Sequence, residues 1–270
     1  MENELENNIV KIGGRLASAI EFSHEVYDEK FYKFYIETNR LSNYSDKLPV
    51  IISERIIDLD SLNVGDLIHI TGQFRSYNEP TSNGKSKLVL TIFTKEIEKI
   101  DDESMITLND ATFIGYICKP PIYRKTPLGR EITDLLIAVN RTYKKSDYIP
   151  CILWGRNAKF CENIETGAMV KLSGRIQSRK YEKKQADGTV EEKVAYELSV
   201  SKFSVIDEEE NNKNESRKIQ EWILKQPKVD CQMVEYDKGN AQRLLVGYTD
   251  DRARKDAYNK EKGIRRLEKA

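Results

Sequence analysis

Asn39-Arg-Leu-Ser-Asn-Tyr-Ser-Asp-Lys-Leu-Pro49 and Asn140-Arg-Thr-Tyr-Lys-Lys-Ser-Asp-Tyr-Ile-Pro150 decide the fold, because they are one pattern written twice, about one hundred residues apart. Both run Asn-Arg, four residues, Ser-Asp, then Pro. Working outward, Ile12-Gly13, Gly65 and Gly72 of the first half return as Ile114-Gly115, Gly167 and Gly174 in the second, in the same order and to within a residue in spacing. A unit this long exceeds the about 20–50 residues of a solenoid repeat and corresponds to a whole domain. The chain is therefore read as two like domains, residues 1–103 and 104–208. Each is large enough to bury its own core. An extension over 209–270 follows.

The second copy shows the strand order more clearly. Residues 111–118 are β-branched and aromatic and read as a strand. The stretch 119–129 carries three prolines and a glycine and reads as a loop exposing Arg124 and Lys125. Leu135, Ile137 and Val139 alternate along a second strand over 131–139. Tyr148 to Trp154 is a third. Ala158, Cys161 and Ile164 then sit three apart, which suits a short helix with one apolar face. A fourth strand spans 168–176. A charged hairpin from Arg179 to Lys193 turns at Asp187-Gly188, and a fifth strand covers 194–206. In the first copy the strands fall at about 8–20, 31–39, 48–53, 66–74 and 87–97, with a helix expected over Glu54–Leu62. Five strands with a helix between the third and fourth is the order of the OB-fold, a Greek-key barrel. The expected fold class is all-β, two tandem OB-fold barrels with a short α/β or helical C-terminal extension. Gly72 and Gly174 fall inside strands, where glycine permits a bulge or tight coiling.

Composition excludes more than it selects. Lys+Arg and Asp+Glu both total 44, so the net charge is zero and any nucleic-acid face must be local. No apolar run approaches the about 18 residues of a membrane span, and the acidic start Met-Glu-Asn-Glu-Leu-Glu is unlike a secretory leader. The expected location is the cytoplasm, with Cys118, Cys151, Cys161 and Cys231 as free thiols, since none forms a C-x-x-C pair. Neither His24 nor His69 has a zinc or catalytic set around it. No cofactor is expected.

Leu153-Trp154-Gly155, the segment 156–164, Gly167-Ala-Met-Val170, Gly174 and Arg179-Lys180-Tyr181 together resemble the bacterial single-stranded DNA-binding proteins. The resemblance is specific over about one hundred residues and weaker over the first copy. It implies that bases stack on Tyr143, Tyr148, Trp154 and Tyr181. Stacking accepts any base, at about 1–3 kcal/mol each. Cations near these rings are expected to track phosphates: Arg124, Lys125, Arg130, Arg141, Lys144, Lys145, Arg156, Arg175, Arg179 and Lys180.

The first copy departs from this pattern. The positions matching Tyr143, Tyr148 and Trp154 are Ser42, Lys47 and Ser53, and the Tyr181 position falls near Glu79. Arg40 and Arg55 match Arg141 and Arg156, and with Tyr77 they are the first domain's weaker candidates. Its rings Phe31, Tyr32, Phe34, Tyr35 and Tyr44 instead gather on and after the second strand; some of them fill the barrel, and the rest are read as a shifted binding surface or a protein contact. At the other end, Asp207–Ser216 reads as a charged linker. Residues 251–270 carry eight Lys/Arg against four Asp/Glu, the reverse of the family's acidic recruiting tail. Residues 243–267 are also similar to a fragment of an insertion-sequence transposase.

The resemblance implies non-catalytic, largely sequence-independent binding of single-stranded DNA in replication, recombination or repair, by a homodimer that brings four barrels together, with replication or repair proteins as further partners. Two other classes stand beside it: an OB-fold protein-interaction or primosome-type assembly factor, and a single-stranded RNA binder, since stacking does not distinguish the sugars. An enzyme is not expected: the sequence carries no phosphate-binding Gly-x-x-x-x-Gly-Lys loop and no metal-ligand cluster.

Overall fold

Alternation of apolar and polar residues shapes most of the twelve strands among the described residues. The computed structural model describes residues 7–40, 42, 44–80, 86–102, 109–141, 145–184 and 190–206. In the first copy β1 is Asn8–Leu16, β2 Glu21–Val26, β3 Glu29–Asn39, β4 Ser45–Ser53, β5 Leu67–Pro80 and β6 Ser86–Ile100. In the second, β7 is Asp110–Ile117, β8 Ile122–Lys125, β9 Glu131–Asn140, β10 Ser146–Trp154, α1 Gly155–Cys161, β11 Met169–Lys184 and β12 Val190–Val205. The expected boundary at 103/104 and the extension over 209–270, including the transposase-like stretch, lie outside the described residues.

Both copies use one pairing scheme. In the first, β1 pairs with β3 and β5, β3 with β4, β5 with β6, and β4 runs parallel to β6 through Val50↔Ile92. In the second, β7 pairs with β9 and β11, β9 with β10, β11 with β12, and β10 runs parallel to β12 through Cys151↔Leu198. The fold is all-β and OB-fold-like. The buried residues recur in the same places in both copies: Leu48, Val50 and Ile52 on β4 match Ile149, Cys151 and Leu153 on β10. Gly72 and Gly174 each sit at a register shift. A Cβ on Gly174 would fall onto the Ser199 carbonyl oxygen, and one on Gly72 onto that of Phe93, so the coiled strands leave no room for any other residue there.

Four elements differ from expectation. Strand β2, Glu21–Val26, stands where no strand was read, and pairs antiparallel with β3 from Glu21↔Lys33 to Val26↔Glu29. Residues 119–129 contain the four-residue strand β8, bonded to β9 from Ile122↔Asp134 to Lys125↔Glu131; the prolines at 120, 121 and 127 flank it rather than interrupt it. The helix expected over Glu54–Leu62 is turns and a single 3-10 turn, Leu59–Ser61. There the Asp58 side chain accepts from the Asp60 N–H at 3.2 Å, and Ser61 Oγ donates to the Asp58 carbonyl at 2.6 Å, local bonds that compete with a helix. The charged hairpin is a continuation of β11 and β12, whose strands extend to Lys184 and back from Val190. The second-copy helix is present, with Ala158 and Cys161 buried under it. Burial raises the Cys161 thiol pKa to about 11 and that of Cys151 well above its ordinary value, which keeps both thiols neutral and unreactive.

The repeated motif turns out to join the two copies. Asp46 is fully buried. It takes a bidentate pair from Arg40, at 2.8 and 2.7 Å, and accepts from both the backbone N–H and the hydroxyl of Ser178 on β11, at 2.7 and 3.0 Å. Arg40 also donates to the Ser178 carbonyl at 3.1 Å. The second copy returns the arrangement. Asp147 is paired with Arg141 and accepts the Ser76 N–H of β5 at 2.5 Å, while Arg141 donates to the Ser76 carbonyl at 3.0 Å. Around these clasps β1 and β7 pair antiparallel from Asn8↔Phe113 to Lys11↔Asp110, the Phe74 and Phe113 rings lie 6.3 Å apart, and Tyr196 is hydrogen-bonded to Tyr35, with its pKa raised to about 12 by burial first and by Tyr35 second.

Removing one partner of a buried pair leaves the other charge unpaired, at a cost of about 3–5 kcal/mol. Asp46→Ala and Asp147→Ala are each expected to lose that much in urea denaturation. Arg124→Ala, which breaks an exposed pair with Asp134, is expected to lose about 0–1 kcal/mol. Equal losses would contradict the assignment of the clasps.

Candidate nucleic-acid interface

Strand β10 sets the aromatic spacing. Tyr148, Pro150, Ile152 and Trp154 share its outward face, and six residues of strand separate the two rings by about 20 Å. Tyr148 and Trp154 keep 43% and 37% of their surface exposed, and Tyr181, on β11, keeps 39%. The Trp154 indole Nε1 donates to Ser199 Oγ of β12 at 3.1 Å, which fixes the ring while leaving a face open. The Arg179 guanidinium lies 5.9 Å from the centre of the Tyr181 ring. Tyr143 and Lys144 lie outside the described residues.

Trp154 opens onto a groove of about 720 Å³. Its walls are Arg175, Gln177, Ser178, Arg179 and Lys180 of β11, Ser199 of β12, Arg130 before β9, and Arg40, Tyr44 and Ser45 of the first copy. Five of the expected second-copy residues therefore meet in one place: Trp154, Arg130, Arg175, Arg179 and Lys180. None of the described residues lining the groove is acidic. Ser45, Gln177, Ser178 and Ser199 were not anticipated as members of the site, and Tyr44 was read only as one of the first-copy ring cluster. Tyr44 and Ser45 enter because the clasp at Asp46 draws the start of β4 against β11, a contact between copies that no single-copy pattern reveals.

The cations divide by what already holds them. Arg40 and Arg141, expected to contact phosphates, instead have their charge committed to Asp46 and Asp147; the hydrogen bond that Arg40 donates to Asp46 pushes the Arg40 pKa up. Arg124 makes a bidentate pair with Asp134 at 2.6 and 3.1 Å, and Lys125 lies 4.0 Å from Glu131; both are on β8. Arg179 is paired with the buried Glu197 at 3.2 Å. Lys180 touches Glu192 at 2.9 Å, but both groups are largely exposed, and such a pair is worth about 0–1 kcal/mol and yields to a phosphate. Arg175 bonds the neutral Gln177 at 3.0 Å. Burial and then the Arg40 charge lower its pKa, which marks a position short of negative charge. Lys145 and Arg156 are exposed.

In the first copy, Arg55 pairs with Glu29 at 3.4 Å and Tyr77 is half exposed on β5. Among the described residues no group of three or more His, Cys, Asp or Glu is arranged to hold a metal ion, and no helix is long and apolar enough to cross a membrane.

Known proteins resemble this chain in sequence and in fold. The family model described as the single-strand binding protein family matches residues 108–206, a stretch that includes the Trp154 groove face but not the first copy. "Single-stranded DNA-binding protein 3" of Clostridium acetobutylicum is 34% identical over 129 residues, covering 42% of this chain and 88% of that protein. "Single-stranded DNA-binding protein A" of Bacillus subtilis is 34% identical over 85 residues, covering 29% of this chain and 49% of that protein; the chain thus spans nearly all of one curated relative and about half of another. Among solved structures, the wild-type single-stranded DNA binding protein from Thermus aquaticus superposes with a TM-score of 0.60 at 16% identity, over 76% of this chain and 94% of that one, a likeness of fold that extends through both copies.

Trp154→Ala is expected to cost about 1–3 kcal/mol in affinity for a single-stranded oligonucleotide while leaving the urea midpoint nearly unchanged. Arg141→Ala is expected to do the reverse, lowering the midpoint strongly. Titration and denaturation of both variants check the division; an Arg141→Ala chain of unchanged stability would contradict it.

Proposed function

The chain belongs to the single-strand binding protein family, and from that membership we propose that it binds single-stranded DNA without catalysis and with little sequence preference, in replication, recombination or repair. The observation that carries the reading is the groove in which Trp154 stands among Arg130, Arg175, Arg179 and Lys180. A ring with an open face, flanked by cations and by no lining carboxylate, suits unstacked bases and their phosphates; a duplex offers no free base faces.

In this reading each five-strand circuit is an OB barrel, with domains over 1–103 and 104–208, and the strand follows the outward face of the second. Bases stack on Trp154, Tyr148, Tyr181 and Tyr143. Arg130, Arg175, Arg179 and Lys180 take phosphates in the groove, and Lys145 and Arg156 extend the path. Arg40 serves by holding Asp46 and so the groove wall, and Arg141 by the equivalent bond on the other side. Two chains pair to bring four barrels together, and the protein works in the cytoplasm.

Titration of labelled oligo-dT, oligo-U and a duplex at several salt concentrations tests the function. Oligo-dT is expected to bind far more tightly than the duplex, with log affinity falling linearly in log salt as counterions are released. Equal affinity for duplex and single strand would overturn it. Light scattering tests the assembly: a particle of twice the 31.3 kDa chain mass is expected, and a stable monomer at micromolar concentration would contradict pairing.

A further inference from the structure

The first copy lacks rings at the aligned stacking positions, yet its outward face is not bare. Phe31 on β3 is opposite Ser53 on β4, and Phe93 on β6 is opposite Ile51. Strand β4 separates β3 from β6, which places those two strands about 9–10 Å apart. The rings nevertheless meet above it, with centroids 5.8 Å apart, and Ser53 beneath them is buried. The Arg75 guanidinium of β5 lies over Phe93, 3.7 Å from the ring centre, and His24 of β2 stacks on Phe31 at 4.9 Å, with the planes 10° apart.

The register explains the relocation. The second-copy positions equivalent to Phe31, Ser53 and Phe93 are Ile132, Trp154 and Ser199. There the large ring is on the middle strand and the small residue on its neighbour; in the first copy large and small have changed places, and the ring surface stays at the same end of the same strands. The cation differs too. In the second copy Gln177 and Arg179 bond the buried Glu197. The first copy has Thr91 at the Glu197 position, and Arg75 donates to the neutral Gln73, at 3.1 and 2.8 Å. Burial, followed by the like charge of Arg141, lowers the Arg75 pKa to about 10, so an anion placed there would be stabilised.

We infer that the first copy carries a second base-stacking site, built from Phe31 and Phe93, with Arg75 as its phosphate anchor. The inference rests on the single-strand binding proposed above. The ligand is a base and the phosphate beside it, on the strand that also occupies the Trp154 groove. Both faces stack bases, and the first copy uses different strands to do it.

Cross-linking of the full chain to a 5-iododeoxyuridine oligonucleotide, with peptide mapping, tests this directly. Adducts on Phe31 or Phe93 as well as on second-copy aromatics are expected. In the same chain Phe93→Leu, which keeps apolar volume and removes the π-face, is expected to weaken oligo-dT binding about five-fold or more, and Arg75→Gln to reduce the salt slope by about one. Adducts confined to the second copy, with Phe93→Leu at wild-type affinity, would overturn the inference while leaving the Trp154 groove intact. Absence of adducts on both copies would overturn the function itself. Should Phe93→Leu fail to fold, the adduct map of the unaltered chain decides.

Discussion

Two buried carboxylates hold this molecule in its working form. Asp46 and Asp147 each neutralise an arginine of their own copy and accept a backbone N–H from the other. A buried carboxylate is costly unless its oxygens are satisfied, so each aspartate is bound to have the opposing strand in place. The bonds are reciprocal, and neither copy completes its own set. The groove depends on them: Ser178, held by Asp46, stands between Gln177 and Arg179, and the same contact brings Tyr44 and Ser45 into the groove that Trp154 lines.

This division of labour resolves how a chain of zero net charge presents a basic groove. Its cations are sorted by burial rather than by number. Arg40 and Arg141 are bound to aspartates and serve architecture. Arg124, Lys125 and Arg55 sit in exposed pairs on the strand surface. Arg175 and Arg75 are half-buried, bonded to glutamine rather than to a carboxylate, and so keep an unmet demand for negative charge. The order of the pair is reversed between copies, Gln73-Phe-Arg75 against Arg175-Ile-Gln177, yet in both the two side chains share one face of the strand.

The repeat, the strand order and the coiling glycines were legible in the sequence, because period-two burial and an unavoidable close approach at Gly174 leave direct marks on residue choice. So was α1, from the spacing of Ala158 and Cys161. Strand β8 was hidden because prolines flank a segment too short to show a period. The turn at Leu59–Ser61 was hidden because the apolar spacing of Ile56, Leu59 and Leu62 suits a helix, while Asp58 and Ser61 supply bonds that end one. The Asn-Arg…Ser-Asp motif was found at once, but its use was not: a lone arginine near tyrosines reads as a phosphate contact, and only the three-dimensional pairing shows Ser76 and Ser178 as its targets. Alignment of stacking positions likewise passed over Phe31 and Phe93, since the rings moved to adjacent strands; Phe31 stood out only through its cluster with Tyr32, Phe34 and Tyr35, and Phe93 not at all.

Trp154 and Trp222 are the two tryptophans of the chain, which makes the central claim open to a single optical measurement. With Trp222→Phe, the emission reports Trp154 alone. If Trp154 is the stacking ring of a single-strand groove, oligo-dT quenches that emission to a saturating limit, and a duplex at the same concentration leaves it unchanged. Binding of oligo-dT with no change in Trp154 emission would contradict the account.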